Sequence, residues 1–148
     1  MHIDHLNIVV ADMARSRAFY VDLLGMQVTF ETHLTGEWIE IVTGLPGVSA
    51  HCVWCQPPDG GARLELLHYQ SPPGGLPEVL PANALGLRHF ALNVSDIAAL
   101  HARLSAAGVS FLSAPLPVPF PVAGGQKWIC YLRDPDGVLV ELAEYRPD

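Results

Sequence analysis

Two histidines and two glutamates occupy matching positions in the two halves of this 148-residue chain. His5 opens the segment HLNIVVAD and His89 opens HFALNVSD; in both, valine follows five residues later and aspartate seven. Glu65 and Glu141 lie inside apolar segments, LELLHY and VELAEY, each with tyrosine four residues on. Imidazole nitrogens and carboxylate oxygens bind first-row divalent cations. This symmetric set therefore predicts one bound Zn²⁺, Ni²⁺, Co²⁺, Mn²⁺ or Fe²⁺.

The surroundings of the two glutamates favour the same interpretation. Leucine or valine flanks Glu65 and Glu141 on both sides, and an ionised carboxylate in a buried strand is unfavourable unless a cation pairs with it. His68 is an alternative donor near Glu65, but strand residues three apart point to opposite faces, so only one is expected in the site. The other histidines have no counterpart in the opposite half and are interpreted as bystanders: His2, His33, His51 and His101.

The elements that position these residues repeat as well. The sequence predicts a helix after each aspartate, over Met13–Leu24 and over Ile97–Ala107, with Asp12 or Ala11 and Ser95 or Asp96 as N-caps. Gly25 and Gly108 stand where a glycine ends such helices. Between helix and last strand each half has room for two further strands. We expect these at Met26–His33, Ser49–Gln56, Ser110–Ser113 and Trp128–Arg133.

Each half is thus predicted as a βαβββ module, and the fold class as α+β. Two such modules are expected to pair as a curved mixed sheet around a shared cleft, forming one domain over residues 1–148. Module one spans about 1–70, a Pro- and Gly-rich linker about 71–83, and module two about 84–148. Residues 134–137, DPDG, predict a type I turn before the last strand. The loops 35–47 and 114–127 are expected to act as lids.

Composition narrows the function further. Eight basic against 15 acidic residues give a net charge of −7, which argues against nucleic acid or an anionic membrane as the partner. With no leader-like N-terminus and no apolar run of about 20 residues, a cytoplasmic protein is expected. The three cysteines are expected to be reduced. Cys52 and Cys55 form a C-x-x-C pair on a predicted strand without a second pair, so they are interpreted as core thiols.

These motifs resemble the vicinal-oxygen-chelate superfamily, which includes glyoxalase I, bleomycin-resistance proteins and extradiol dioxygenases. The resemblance covers nearly the whole chain. It rests in the first half on His5, Val10, Asp12, Ser16, Phe19–Tyr20 and 24–26, and in the second on 89–91, Asp96, 131–137 and 139–142. It implies paired βαβββ modules, a divalent metal held by His5, Glu65, His89 and Glu141, a small-molecule substrate and a homodimer. It also implies that a ligand carboxylate moves a proton, with Glu141 the first candidate and Glu65 the second.

The resemblance leaves several reactions open. Glyoxalase I proteins usually have an arginine where this chain has Val9 and an asparagine where it has Tyr69, which argues against glutathione. Methylmalonyl-CoA epimerase-like proteins match the length, but they usually have glutamine at the position of Glu65. An isomerase, epimerase or lyase is therefore expected. The alternatives are an extradiol-type dioxygenase, in which a fourth protein ligand would crowd out oxygen, and a metal-free binding or resistance protein.

Overall fold

The computed structural model describes residues 1–75, 79–123 and 125–147. It divides into two compact units, Met1–Pro77 and Glu78–Asp148. The middle of the predicted linker (76–78) and one residue of the predicted loop 114–127 (124) lie outside the described residues.

The first unit contains a four-stranded mixed sheet in the order β1-β4-β3-β2. Strand β1 runs parallel to β4, and the other neighbours are antiparallel. Helix α1 packs against β4, and helix α2 against β2. In chain order the elements are β1 His5–Val9, α1 Met13–Arg17 continuing as a π-helical segment Ala18–Leu23, β2 Gln27–Thr35, α2 Glu37–Thr43, β3 Ser49–Gln56 and β4 Arg63–Ser71.

The second unit repeats this topology, with strand order β5-β8-β7-β6 and β5 parallel to β8. Its elements are β5 His89–Asn93, α3 Ile97–Ala106, β6 Leu116–Pro117, β7 Gln126–Arg133 and β8 Leu139–Arg146. Each unit is therefore a βαβββ module, with α2 as an addition in the first. The predicted α+β class is confirmed.

Local sequence explains where the helices begin and end. The Asp12 and Asp96 side chains accept hydrogen bonds from the backbone N–H groups of Arg15 and Ala99, at 3.0 and 2.9 Å, as N-caps do. The glycines after the helices, Gly25 and Gly108, have φ of +77° and +85°, which only glycine adopts without strain. The N-cap aspartates and closing glycines read from the sequence are confirmed.

Two predictions for the connecting segments are wrong. No strand forms at 110–113, where Phe111 makes only an isolated bridge to Leu132. The strand β6 comes later and has two residues, because prolines 115, 117 and 119 lack the N–H groups that a longer ladder needs. The segment 35–47 is not a loop throughout, since α2 occupies its centre. Its Ile39 side chain is buried against a small cluster that includes Leu34 and Tyr69.

The core of each unit is built from alternate strand residues. Leu64 and Leu66 on β4 and Val140 and Leu142 on β8 are almost completely buried, and so are Tyr20 and Leu104 from the helical segments. The intervening positions 65 and 141 therefore project from the opposite face of each sheet. Among the described residues, none of the helices has both the length and the apolar character needed to cross a bilayer.

Candidate metal centre

In the first unit, His5 and Glu65 come together from the adjacent parallel strands β1 and β4. The register pairs His5 with Arg63 and Asn7 with Glu65, so these four side chains share one face of the sheet. The imidazole Nε2 of His5 lies 3.7 Å from Oε2 of Glu65. The glutamate side chain is 17% exposed and the histidine 36%. We call this pair the first half-site.

The second unit contains the same arrangement. His89 begins β5, Glu141 lies on the neighbouring parallel strand β8, and Nε2 of His89 is 3.3 Å from Oε2 of Glu141. Only 6% of the Glu141 side chain is exposed. We call this pair the second half-site. Of the four predicted site residues, the structure thus brings one histidine and one glutamate together within each unit.

The geometry of both half-sites fits a divalent cation. Two donors that each lie about 2.0–2.1 Å from a tetrahedral metal are about 3.3 Å apart. The Nε2–Oε2 separations of 3.7 and 3.3 Å lie close to this value. Within either unit, the described residues form no group of three or more histidine, cysteine, aspartate or glutamate side chains suited to a metal. Among the described residues, each half-site therefore offers two donor atoms that could bind a metal.

Aromatic side chains flank both half-sites, and the sequence did not predict them as part of the site. The ring of Trp54 lies 4.7 Å from that of His5, and the ring of Tyr131 lies 5.1 Å from that of His89. Both aromatic residues sit directly across the antiparallel hairpin from the site glutamate, Trp54 opposite Glu65 and Tyr131 opposite Glu141. Pairing the predicted strands by the position of each glutamate could have found them.

A carboxylate orients the histidine of the first half-site. The Nδ1–H of His5 donates to Oδ2 of Asp4 at 2.9 Å, which leaves Nε2 toward Glu65. Asp4 also accepts from the guanidinium of Arg63 at 2.6 and 2.7 Å. The His5 hydrogen bond and then Arg63 hold the pKa of Asp4 below its ordinary value. Metal-binding histidines commonly have such a partner on the other ring nitrogen.

The glutamates of the two half-sites are held by different partners. Asn7 donates its side-chain amide to Oε2 of Glu65 at 3.1 Å and to the Glu65 carbonyl at 3.2 Å. The residue opposite Glu141 on β5 is Ala91, whose side chain has no hydrogen-bond donor. There the ammonium of Lys127, on β7, donates to Oε1 of Glu141 at 2.7 Å.

This difference also changes the electrostatics of the second half-site. The hydrogen bond to Glu141 raises the pKa of Lys127, so the ammonium form is favoured. Burial, followed by the nearby charge of Glu141, raises the pKa of the Tyr131 phenol. Tyr131 therefore stays a neutral hydroxyl beside the carboxylate.

The buried cysteines are free thiols, as expected. The thiol of Cys52 lies 3.7 Å from Oε1 of Glu65 as a weak donor. Burial raises the pKa of Cys52 and of Cys130 to about 11, with a further contribution from Glu65 and Glu141 respectively. At neutral pH these thiols are protonated, which disfavours them as metal ligands or nucleophiles.

The remaining histidines lie away from the half-sites. His68, three residues after Glu65, donates from Nδ1 to the Val10 carbonyl at 3.1 Å on the side of the sheet where α1 begins. His51 donates to Glu31 at 2.7 Å, and its ring stacks on that of His33 at 4.9 Å. This further His–Glu pair has no counterpart among the described residues of the other unit.

The duplicated βαβββ modules and their paired His–Glu positions define a class of proteins that bind small molecules, and in many members a metal, on a repeated scaffold. The model of the Glyoxalase/Bleomycin resistance protein/Dioxygenase superfamily matches residues 2–142. The chain belongs to this superfamily, and the resemblance drawn from its motifs is confirmed.

The chain is similar to individual proteins over nearly its whole length. An uncharacterised Escherichia coli protein, YaeR, is 31% identical over 96% of this chain and 95% of its own length. A probable lactoylglutathione lyase of Vibrio cholerae is 28% identical over 95% of this chain and 88% of its own length. Among solved structures, a glyoxalase family protein from Bacillus cereus has a TM-score of 0.83 at 28% identity, covering 97% of this chain and 93% of that one.

Proposed function

We propose that this protein is a divalent-metal-dependent lyase or isomerase that transfers a proton next to a carbonyl group of a small molecule. His5, Glu65, His89 and Glu141 would hold the metal. The observation that carries the proposal is the duplicated His–Glu pair, formed twice with Nε2–Oε2 separations of 3.7 and 3.3 Å. We also propose a homodimer, as is common in the superfamily.

Each residue of the proposed site would have a separate role. His5 and His89 would present Nε2 as ligand atoms, and Asp4 would fix the His5 tautomer. Once bound, the metal would supply Lewis-acid polarisation of the substrate carbonyl. Glu141 would then accept the proton from the neighbouring carbon on a carboxylate oxygen and return it, with Glu65 as the second candidate. Trp54 and Tyr131, beside the two histidines, would shield this proton transfer from water.

The proposed reaction has two versions, one epimerase-like and one glyoxalase-like. Tyr69 packs against the cluster of Ile39, Val48 and Ala50 next to α2. Its ring is thereby engaged in packing, where glyoxalase I proteins usually have an asparagine. Val9 is about half exposed and carries no charge. Both observations support an activity other than the glutathione-dependent one.

Metal content tests the proposal first. Protein purified without chelator should contain a transition metal, and Ni²⁺, Co²⁺ or Zn²⁺ should raise the melting temperature of the apoprotein. Glu65→Gln and Glu141→Gln should each weaken metal binding. Glu31→Gln is the matched control, because Glu31 also pairs with a histidine but outside the duplicated positions. Absence of metal together with absence of a thermal shift would refute the metal centre.

Turnover separates the reaction classes. Incorporation of solvent deuterium into methylmalonyl-CoA would support the epimerase-like version. Conversion of the methylglyoxal–glutathione adduct would instead support the glyoxalase-like one and overturn the inference from Val9 and Tyr69. Oxygen consumption with catechols would show a dioxygenase. In either proton-transfer version Glu141→Gln should abolish exchange, and retained exchange would remove Glu141 as the base.

A further inference from the structure

Lys127 is the only lysine of the chain, and it lies in the second half-site. Its ammonium is 2.7 Å from Oε1 of Glu141 and 5.6 Å from the centre of the Tyr145 ring. The side chain is 22% exposed. A lysine ends in a compact charge on a flexible four-carbon chain, so this cation can change partners while the strand that carries it stays fixed.

The cation is specific to one half of the repeat. Lys127 pairs across the hairpin with Tyr145, and the residue in the same register position of the first unit, opposite Tyr69, is Ala50. The metal ligands themselves are duplicated without such a difference. Metal binding by the two histidines and two glutamates does not require Lys127, and the first unit has no equivalent of it. We therefore expect Lys127 to contact the substrate.

The charges at the site indicate which kind of group Lys127 would bind. The carboxylates of Glu65 and Glu141 would together neutralise a divalent metal. If Glu141 binds a metal instead, the ammonium of Lys127 loses its counter-ion in a largely buried site. This loss is unfavourable unless another anion replaces the carboxylate. Arg63, the cation on the corresponding face of the first unit, is already paired with Asp4. Lys127 would then lack a carboxylate partner.

We propose that the site binds a small carboxylate, and that Lys127 leaves Glu141 to bind the carboxylate group of this substrate when the metal is present. The inference rests on the proposed function and adds the charge of the substrate to it. A carboxylate next to a hydroxyl or carbonyl group would offer the metal two neighbouring oxygens and the ammonium a salt bridge.

Lactate and lactamide provide a matched pair of probes, since both have two neighbouring oxygens and only lactate is charged. Their dissociation constants for the metal-loaded protein can be measured by calorimetry. The salt bridge to Lys127 should contribute about tenfold to the preference of the wild type for lactate, as a charge-assisted hydrogen bond would give. Because a carboxylate also binds the metal more strongly than an amide does, Lys127→Met should keep some preference for lactate, but about tenfold less than the wild type. Lys127→Arg should lie between the two. Arg17→Gln removes a positive charge that pairs with Glu31 outside the half-sites and should change nothing.

The outcomes separate the inference from the proposed function. Metal stoichiometry and melting temperature, measured for each variant, show that the protein is folded and loaded. A preference for lactate that is lowered in Lys127→Met and unchanged in Arg17→Gln supports the inference. An unchanged preference in Lys127→Met, or equal binding of both ligands by the loaded wild type, overturns it and leaves the metal centre standing. A wild type that binds no metal refutes the proposed function, and the inference falls with it.

Discussion

Replacing Asp4 by asparagine tests whether a carboxylate next to His5 prepares the first half-site for metal. The substitution keeps the size of the side chain but removes the charge that accepts the Nδ1–H of His5 at 2.9 Å. Asparagine can present its amide NH₂ instead, and that group pairs with the other histidine tautomer. Nε2 would then carry the proton and could not bind a metal without losing it.

The expected size of the effect follows from the position of Asp4. Removing the partner of a metal-binding histidine lowers metal affinity by about 10- to 100-fold. The Asp4 side chain is 58% exposed, so water can partly replace it as a partner. Arg63 also competes for the same carboxylate at 2.6 Å. We therefore expect the lower end of the range, about a tenfold loss.

Two measurements check this expectation. Nitrogen-15 NMR of the histidine rings in the apoprotein should show His5 protonated on Nδ1 in the wild type and a mixture of tautomers in Asp4→Asn. Calorimetric titration should show the weaker metal binding. Asp12→Asn is the matched control, because asparagine caps a helix as well as aspartate does. An unchanged His5 tautomer together with wild-type metal affinity in Asp4→Asn would refute the reasoning.

Three further predictions concern stability and reactivity. Leu66→Ala and Leu142→Ala, at fully buried and equivalent positions, should each lower the free energy of unfolding in urea by about 2–5 kcal/mol; a loss below about 1 kcal/mol would contradict the packing. The thiol of Cys52, with a pKa of about 11 through burial, should react slowly with a disulfide reagent at pH 8 in the folded protein and rapidly in urea. Arg146 holds the pKa of Glu144 below its ordinary 4.5. The stability that Glu144 contributes relative to Glu144→Gln should therefore be present above pH 4.5 and disappear as the pH falls further. Denaturation curves of both proteins across this pH range measure it.

The sequence predicted the parts of the structure that follow from local rules and from the repeat. Strand β3 has the predicted bounds, Ser49–Gln56. The helix predicted over Met13–Leu24 exists, although its second part is a π-helix. Both His–Glu pairs could be predicted because each half contains the same residues at the same places. Agreement between two copies is evidence that a single motif does not provide.

The features that escaped prediction depend on contacts between strands. Asn7, Trp54 and Lys127 reach their partners across the sheet, and no periodicity along the chain marks them. None of them has an identical counterpart in the other half, so the repeat does not predict them. Helix α2 was predicted as a loop because it is a short segment between glycines. The burial of Ile39, which stabilises the helix, cannot be seen in the sequence.

The different neighbours of the two glutamates suggest how a symmetric ligand set could carry out an asymmetric reaction. Asn7 holds Glu65 from the adjacent strand through a short side chain, so Glu65 has little freedom to move. The partner of Glu141 is the long side chain of Lys127, which can leave. We therefore expect Glu141 to be the carboxylate that exchanges partners and accepts the proton, while Glu65 remains a fixed ligand. At saturating metal, Glu65→Gln should retain measurable solvent exchange in the substrate and Glu141→Gln should retain none. The opposite result would identify Glu65 as the base and Lys127 as a permanent partner of Glu141.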